Sequence, residues 1–334
     1  MLRFIVRRLL QLIPILLGLS VLLFAWLRAL PGGPAVAALG ERATPAKIAA
    51  YNKAFGLDQP VWTQYSRFLG RAVRLDFGTS QTTGRAVTDE FLTRFPGTVE
   101  LTVFAMVFAI GIGIPLGYMA ARRHGSWIDS TSVVGSLIGV TIPVFFLAYL
   151  LRLLFAVKLG WLPGSGRQDV RMEATHVTNF YVLDGLLTRE WDASWDALRH
   201  LVLPGIALGT IPLAIIVRIT RAAVLDVVNE DYVRTAQAKG LATDTVRRRH
   251  ILRNALLPVA TTIGLQTGLL LSGAVLTETV FAFGGVGSTL RTAISNRDYA
   301  LLQGFILILA VVYVLVNLIV DISYGLLDPR VRVK

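Results

Sequence analysis

Six long stretches without a charged residue constrain this sequence more than any other feature. Each runs for about 20 residues, which is the helix length needed to cross roughly 30 Å of hydrocarbon at about 1.5 Å per residue. The six stretches are Leu9–Leu27, Leu101–Ala121, Ser130–Leu151, Leu201–Val217, Ala255–Thr277 and Ala300–Val320. The composition agrees, because 54% of the residues are hydrophobic and only 16% are charged, a balance too apolar for a soluble domain. The sequence therefore predicts an all-α membrane protein with about six transmembrane helices.

The first stretch is preceded by Arg3, Arg7 and Arg8 and followed by Ala35-x-Ala37, a pattern also seen in cleaved secretory signals. The apolar core of such a signal has only about 7 to 15 residues, which is shorter than this stretch. We therefore predict an uncleaved signal-anchor helix.

Basic residues between the stretches predict the orientation, because short cytoplasmic loops retain Lys and Arg during insertion. Arg122 and Arg123, the cluster Arg218–Arg253 and the tail residues Arg330–Lys334 fall on the same side as the N-terminus. Both termini are therefore predicted to be cytoplasmic. A segment as long as 31–98 crosses the membrane largely regardless of its charge, so we predict an extracytoplasmic insertion there.

This topology divides the chain into four parts. The N-terminal tip and first helix occupy 1–30, and the extracytoplasmic insertion occupies 31–98. The transmembrane core occupies 99–326 and includes a cytoplasmic loop at 222–256, and a cytoplasmic tail follows at 327–334. Basic residues in the cytoplasmic parts account for the net charge of +12, which therefore does not indicate nucleic-acid binding.

Small residues and prolines inside the stretches predict how the helices pack. Glycines four residues apart expose a strip of backbone that permits close helix contact. The pairs are Gly113 with Gly117, Gly205 with Gly209, and Gly264 with Gly268. Prolines that can kink a helix are Pro115, Pro143, Pro204 and Pro212. Two charges lie near the ends of spans, on Arg152 and Asp321, and we expect both side chains to extend to the membrane interface.

Motifs for catalysis or cofactor binding do not occur in this sequence. Cysteine is absent, which excludes disulfides and thiolate chemistry. The four histidines, His124, His176, His200 and His250, form no metal-binding pair. A Gly-x4-Gly-Lys-Ser/Thr loop is also absent, so binding of ATP in the P-loop manner is excluded.

The most informative segment is Asp231–Leu241, called the signature segment below, in the loop 222–256. Its pattern is helical up to Gly240, which can adopt the left-handed conformation that ends a helix. Thr243 or Asp244 can then cap a second helix that runs back to the membrane. The sequence predicts a helix-turn-helix in the cytosol, although an ordinary amphipathic surface loop would have the same residue types.

These residues resemble the inner-membrane permeases of binding-protein-dependent ABC importers, in the dipeptide and oligopeptide branch that also includes nickel importers. The family's loop pattern is matched by Asp231, Tyr232, Arg234, Thr235, Ala236, Ala238, Lys239, Gly240, Leu241, Arg253, Asn254 and Pro258. Shorter matches lie at 56–60, 160–163, 278–281 and 327–330.

The resemblance implies a type I ABC importer permease (MetI-like) architecture in a bacterial inner membrane. It also implies that the signature segment is a coupling helix, which docks into a groove of an ATPase subunit. Small Ala236 and Ala238 would then let the helix enter the groove, and Arg234 and Lys239 would pair with acidic groups.

The partners implied by the resemblance are two ATPase subunits, a second permease chain completing a heterodimer, an extracytoplasmic substrate-binding protein and the lipid bilayer. ATP and Mg²⁺ would be used by the ATPase subunits, with no cofactor on this chain. The chain would be a transport subunit and not an enzyme.

Several alternatives remain open at the level of sequence. The same machinery imports nickel chelates or other small solutes in some members of the branch. A self-contained channel would work without nucleotide, and an ion-coupled carrier would need ionisable groups near mid-membrane, which are almost absent here. A membrane scaffold that moves nothing would lack ATPase partners.

Overall fold

The computed structural model describes residues 2–29, 35, 36, 39, 40 and 43–327. Within these residues, five helices are long and apolar enough to cross a membrane. A sixth span is obtained if two helices joined by a sharp bend are counted together. The prediction of about six spans in an all-α protein is thus confirmed. Residues 328–334, which include most of the predicted tail, lie outside the described part.

Thirteen helices of the described part are used below. In chain order they are α1 (Leu2–Ala29), α2 (Pro45–Phe55), α3 (Val61–Val73), α4 (Val87–Arg122), α5 (Trp127–Thr141), α6 (Val144–Leu151), α7 (Tyr181–Leu187), α8 (Trp191–Val228), α9 (Asp231–Ala238), α10 (Arg253–Gly273), α11 (Val275–Val280), α12 (Val286–Ser295) and α13 (Tyr299–Leu327). Seven-residue π-helical turns follow α6 at Arg152–Lys158 and precede α10 at Val246–Leu252.

Two spans extend well beyond their predicted bounds. Helix α4 begins at Val87 instead of Leu101, and α8 runs over Trp191–Val228 instead of Leu201–Val217. The added turns contain charged residues. They were not included in the predicted spans, because those spans were defined as uncharged stretches. A helix does not end where the hydrocarbon ends, because its backbone hydrogen bonds continue into the interface and the aqueous phase.

The predicted span Ser130–Leu151 is not one straight helix. Helices α5 and α6 meet at an angle of 100°, and the break lies at Ile142 and Pro143. Ile142 adopts an extended conformation with φ −73° and ψ 122°, as expected for a residue that precedes proline. The predicted effect of Pro143 is therefore confirmed, whereas Pro204 and Pro212 lie inside the uninterrupted α8.

The chain forms two compact units, the first comprising 1–96 and 285–318. Its core contains Val87, Phe91 and Phe305, which pack together. Asp298 is buried there, and its carboxylate accepts hydrogen bonds from the Ser80 hydroxyl at 2.6 Å and the Thr82 amide at 3.0 Å. These bonds fix the turn that precedes α4.

The second unit comprises 97–284 and 319–334, and its core lies where α4 packs on α8. Glycines make this approach possible. A methyl group on Gly117 would lie 2.6 Å from the Val217 carbonyl oxygen, and one on Gly209 would lie 2.7 Å from the Ala105 carbonyl oxygen. Close helix packing is thus confirmed for the first two predicted glycine pairs. The four-part division 1–30, 31–98, 99–326 and 327–334 stays a prediction, because it is defined by topology and not by compactness.

Two side chains in the second unit fix the loop between α6 and α8. The Arg167 guanidinium pairs with Glu100 at 2.8 Å and lies 3.7 Å from the centre of the Tyr181 ring. The Arg152 guanidinium donates to the Val280 carbonyl oxygen at 2.7 Å and so satisfies a backbone acceptor at the end of α11. Its extension to the membrane interface stays a prediction. The side chain of Asp321 lies outside the described part.

Candidate functional site: the signature segment

The signature segment folds as the short helix α9 followed by a glycine turn. Gly240 has φ +71°, a left-handed conformation that glycine adopts without steric cost. The Gly240 amide donates to Gln237 O at 2.9 Å, and the Leu241 amide donates to Ala236 O at 3.3 Å. The predicted helix end at Gly240 is therefore confirmed.

One face of α9 is packed against this chain. Val233 and Ala236 are 0% and 5% exposed, respectively. Their neighbours in the buried cluster are Ala121, Ala223, Val224, Val246, Ile251 and Ala255. The cluster joins α9 to the ends of α4, α8 and α10, so α9 is held as part of the bundle. Ala236 is therefore packed inside this chain, and the contact of α9 with an ATPase subunit stays a prediction.

The opposite face of α9 is exposed. The residues on it are Asp231, Arg234, Thr235, Gln237, Ala238 and Lys239, with Gly240 and Leu241 in the turn that follows. Arg234 pairs with Asp231 at 3.7 Å, but both side chains are more than half exposed. Such a pair stabilises little, so Arg234 can exchange it for an acidic group elsewhere. Of the two predicted alanines, Ala238 is the one on this face.

Tyr232 and Asn254 connect α9 to the following helix. The Asn254 side-chain amide donates to the Tyr232 hydroxyl at 2.8 Å and to the His250 carbonyl oxygen at 2.9 Å. The Tyr232 hydroxyl in turn donates to the same carbonyl at 3.4 Å. Two predicted site residues thus brace the helix-turn-helix from within. Arg253 and Pro258, also predicted, lie exposed on α10.

The predicted cap of the second helix was wrong. Thr243 and Asp244 are its first residues, and Ala242 occupies the cap position without a side-chain hydrogen bond. Asp244 instead pairs with Arg247 at 2.9 Å, an interaction across one helical turn. Sequence alone does not decide between a cap and a first-turn acid, since aspartate favours both positions.

A group of polar residues at the start of α5 was missed by the sequence analysis. Asp129, at the start of α5, accepts two hydrogen bonds from the Arg221 guanidinium on α8, one of them at 2.8 Å. His124 Nδ1 lies 3.0 Å from the same carboxylate, and the Gly125 amide donates to it at 3.0 Å. The only sequence signal for this group is that Asp129 is a charged residue next to a short basic loop.

A cavity of about 400 Å³ lies at the bend between α5 and α6. Its lining is mainly apolar and includes Pro143 and Phe145 at the bend, Leu208 and Pro212 in the middle of α8, and Gln266 on α10. Pro212 has no amide hydrogen, so it cannot donate to the Leu208 carbonyl one turn earlier. The described residues contain no group of three or more His, Asp or Glu that could hold a metal ion.

Two models of known protein families together match almost the whole chain. Residues 113–333 match the model described as "Binding-protein-dependent transport system inner membrane component", and residues 1–102 match the model of the N-terminal part of such membrane components.

Individual relatives cover the full length. The di/tripeptide transport system permease protein DppB of Pseudomonas aeruginosa is 48% identical over 99% of each chain. The dipeptide transport system permease protein DppB of Alkalihalophilus pseudofirmus is 44% identical over 99% of this chain and all of that one. The glutathione transport system permease protein GsiC of Escherichia coli is 37% identical over all of both chains.

A solved structure has the same fold. A chain of the MetNI methionine ABC transporter, determined in inward-facing conformations, matches with a TM-score of 0.52 and 17% identity. The match covers 71% of this chain and 96% of that chain. The type I importer permease architecture is thus confirmed.

Proposed function

Because this chain belongs to the family of inner membrane components of binding-protein-dependent transport systems, we propose that it moves dipeptides or short oligopeptides through an ATP-driven importer. It is a multi-pass permease of the inner membrane, and ATP hydrolysis belongs to separate subunits. The names of its relatives, which include dipeptide, di/tripeptide and glutathione permeases, support a short peptide as cargo.

The main support for this proposal is that α9 is packed on one face and exposed on the other. Val233 and Ala236 anchor it to the bundle, while its polar face is exposed. A helix that is rigidly held on one side and uncovered on the other can transmit a displacement applied by a partner. We assign its exposed face, including Arg234, Ala238 and Lys239, to contact with an ATPase subunit that binds ATP and Mg²⁺.

The complete importer contains more than this chain. An ATPase and an extracytoplasmic substrate-binding protein are the general partners of this family, and we propose two ATPase subunits and a second, related permease chain as a heterodimer. Both termini and the loop 222–256 then lie in the cytoplasm, and the insertion 31–98 lies on the side of the binding protein. Transport proceeds by alternating access as the ATPase pair closes and opens.

Uptake into proteoliposomes tests the function directly. The complex of this chain with its ATPase subunits, second permease and binding protein is reconstituted, and uptake of radiolabelled dialanine is measured. We expect uptake that requires Mg-ATP on the ATPase side and the binding protein on the other side. A complex with a hydrolysis-deficient ATPase is the matched control and should accumulate none.

Two results would contradict parts of the proposal. Equilibration of dialanine without nucleotide would favour a channel. ATP-dependent accumulation of a nickel chelate, with no uptake or competition by dipeptides, would show that the cargo is different while the importer assignment stands.

A further inference from the structure

One buried carboxylate links the start of α5 to α8. All residues of α5 are described, and Asp129 is the only one of them that is buried, at 5% exposure. The Arg221 guanidinium binds both of its oxygens, and the Gly125 amide and His124 Nδ1 lie within 3.0 Å of one of them. A bidentate arginine–carboxylate pair fixes orientation as well as distance.

Gly139 provides a second contact of α5 with α8, and this one is apolar. Near the other end of α5, a methyl group on Gly139 would lie 3.3 Å from the Thr210 side chain and 3.6 Å from Ala214, a close approach of α5 to small residues of α8. Van der Waals contacts of this kind hold helices together in lipid but lack the direction of a hydrogen bond. The Asp129–Arg221 pair, called the clamp below, is therefore the directional, charge-assisted link between α5 and α8.

The clamp joins two functional parts of the molecule. Arg221 lies near the end of α8, which is followed after two residues by α9. The cluster that anchors α9 includes Ala223 and Val224 of the same helix end. At its other end, α5 leads to Pro143, which lines the cavity at the bend. A continuous path of packed elements thus runs from the exposed face of α9 to the wall of the cavity.

We propose that Asp129 and Arg221 are positioning residues for energy coupling: they make α5 move with α9, so that displacement of α9 by the ATPase reshapes the cavity at Pro143. This inference rests on the proposed function. The alternative is a purely structural pair that closes the loop between α4 and α5. The two roles differ in whether uptake of cargo can be lost while ATP hydrolysis persists.

The first test compares two isosteric substitutions in the reconstituted complex. Asp129→Asn removes the clamp charge with little change in shape. Asp76→Asn is the matched control, because Asp76 also accepts two hydrogen bonds from one arginine, Arg71, at 2.9 and 3.2 Å but is exposed. The Arg71 guanidinium and the Gly78 amide hold the pKa of Asp76 below its usual range, so it too is ionised at neutral pH.

For Asp129→Asn we expect dialanine taken up per ATP hydrolysed to fall about tenfold, within the range typical of coupling between distant sites. The rate of ATP hydrolysis should stay close to that of the wild type. Asp76→Asn should retain the wild-type ratio. If Asp129→Asn retained that ratio as well, the proposal would be overturned.

A second measurement needs no clamp variant and so does not depend on how well that variant folds. The chain has no cysteine, so spin labels can be placed through Trp127→Cys at the start of α5 and Thr243→Cys just beyond the signature segment, in a complex whose other chains lack reactive thiols. Both positions are exposed. The distance between the labels is measured with and without bound nucleotide.

With the clamp intact, we expect the same distance distribution in both states, because α5 and the signature segment move as one body. A change in that distance on nucleotide binding would overturn the proposal even if the complex imports peptides normally. Failure of the complex to hydrolyse ATP or to import dialanine at all would contradict the proposed function instead.

Discussion

Gly117 is a position at which a single methyl group should strongly disturb helix packing. Its Cβ would lie 2.6 Å from a backbone oxygen of α8 and 2.7 Å from Thr220 Cβ, and neither atom can move without shifting a helix. We expect Gly117→Ala to destabilise the folded chain by about 1–3 kcal/mol, as overpacking of a core does. Thermal unfolding of the purified complex in detergent measures this.

Gly111 on the same helix is the control, because no atom lies within 4 Å of a methyl group placed there. Gly111→Ala should leave the melting temperature unchanged or slightly raised, since alanine favours a helix. Equal losses at both positions would contradict the close approach of α4 and α8.

The sequence predicted which residue types form the site better than it predicted which way their side chains face. The letters around Gly240 specify the glycine turn, because left-handed backbone geometry excludes most other residues. They do not specify that Ala236 faces inward, since alanine is compatible with either face of a helix. Asp129 could not be predicted as a buried residue, because its partner Arg221 lies 92 positions away in the chain.

Helix α9 can act as a rigid unit only while its inner face stays packed against the bundle. Ala236→Leu places a larger side chain in the buried cluster, so we expect α9 to open locally more often. Overpacking of this kind costs about 1–3 kcal/mol, which corresponds to roughly 5- to 150-fold faster amide hydrogen exchange in Asp231–Ala238. Hydrogen–deuterium exchange with mass spectrometry detects such a change.

Gln237→Ala is the matched control for this prediction. Gln237 is next to Ala236 but exposed, and the exchange of α9 should stay the same or become slower in the variant. Faster exchange in both variants, or in neither, would show that Ala236 does not anchor the helix.

Uncharged stretches located the membrane spans but did not locate the ends of the helices that contain them. The added turns of α4 and α8 contain Asp89, Glu90, Asp192 and Asp226, and local charge gives no information on whether a helix continues beyond the membrane. Pro143 was correctly predicted to kink its helix, but Pro204 and Pro212 lie in an uninterrupted one. The difference depends on tertiary packing, which can hold a proline-containing helix together in a membrane.

The topology of the whole molecule is testable through its lack of cysteine. Trp127→Cys and Trp191→Cys place single thiols at positions that are 74% and 64% exposed, respectively. With both termini in the cytoplasm, a membrane-impermeant maleimide should label the Trp191→Cys variant in spheroplasts and the Trp127→Cys variant only in inside-out vesicles. The reverse pattern would invert the predicted orientation.

We propose that this chain receives energy through the exposed face of α9. The most direct test places one thiol on that face by Ala238→Cys and, as a control, one on the buried face by Ala236→Cys. Crosslinking to a co-expressed ATPase subunit is then measured with and without ATP. We predict a specific, nucleotide-dependent product for Ala238→Cys and none for Ala236→Cys. Absence of a product from Ala238→Cys, in an assembled complex whose thiol reacts freely with maleimide, would contradict the account.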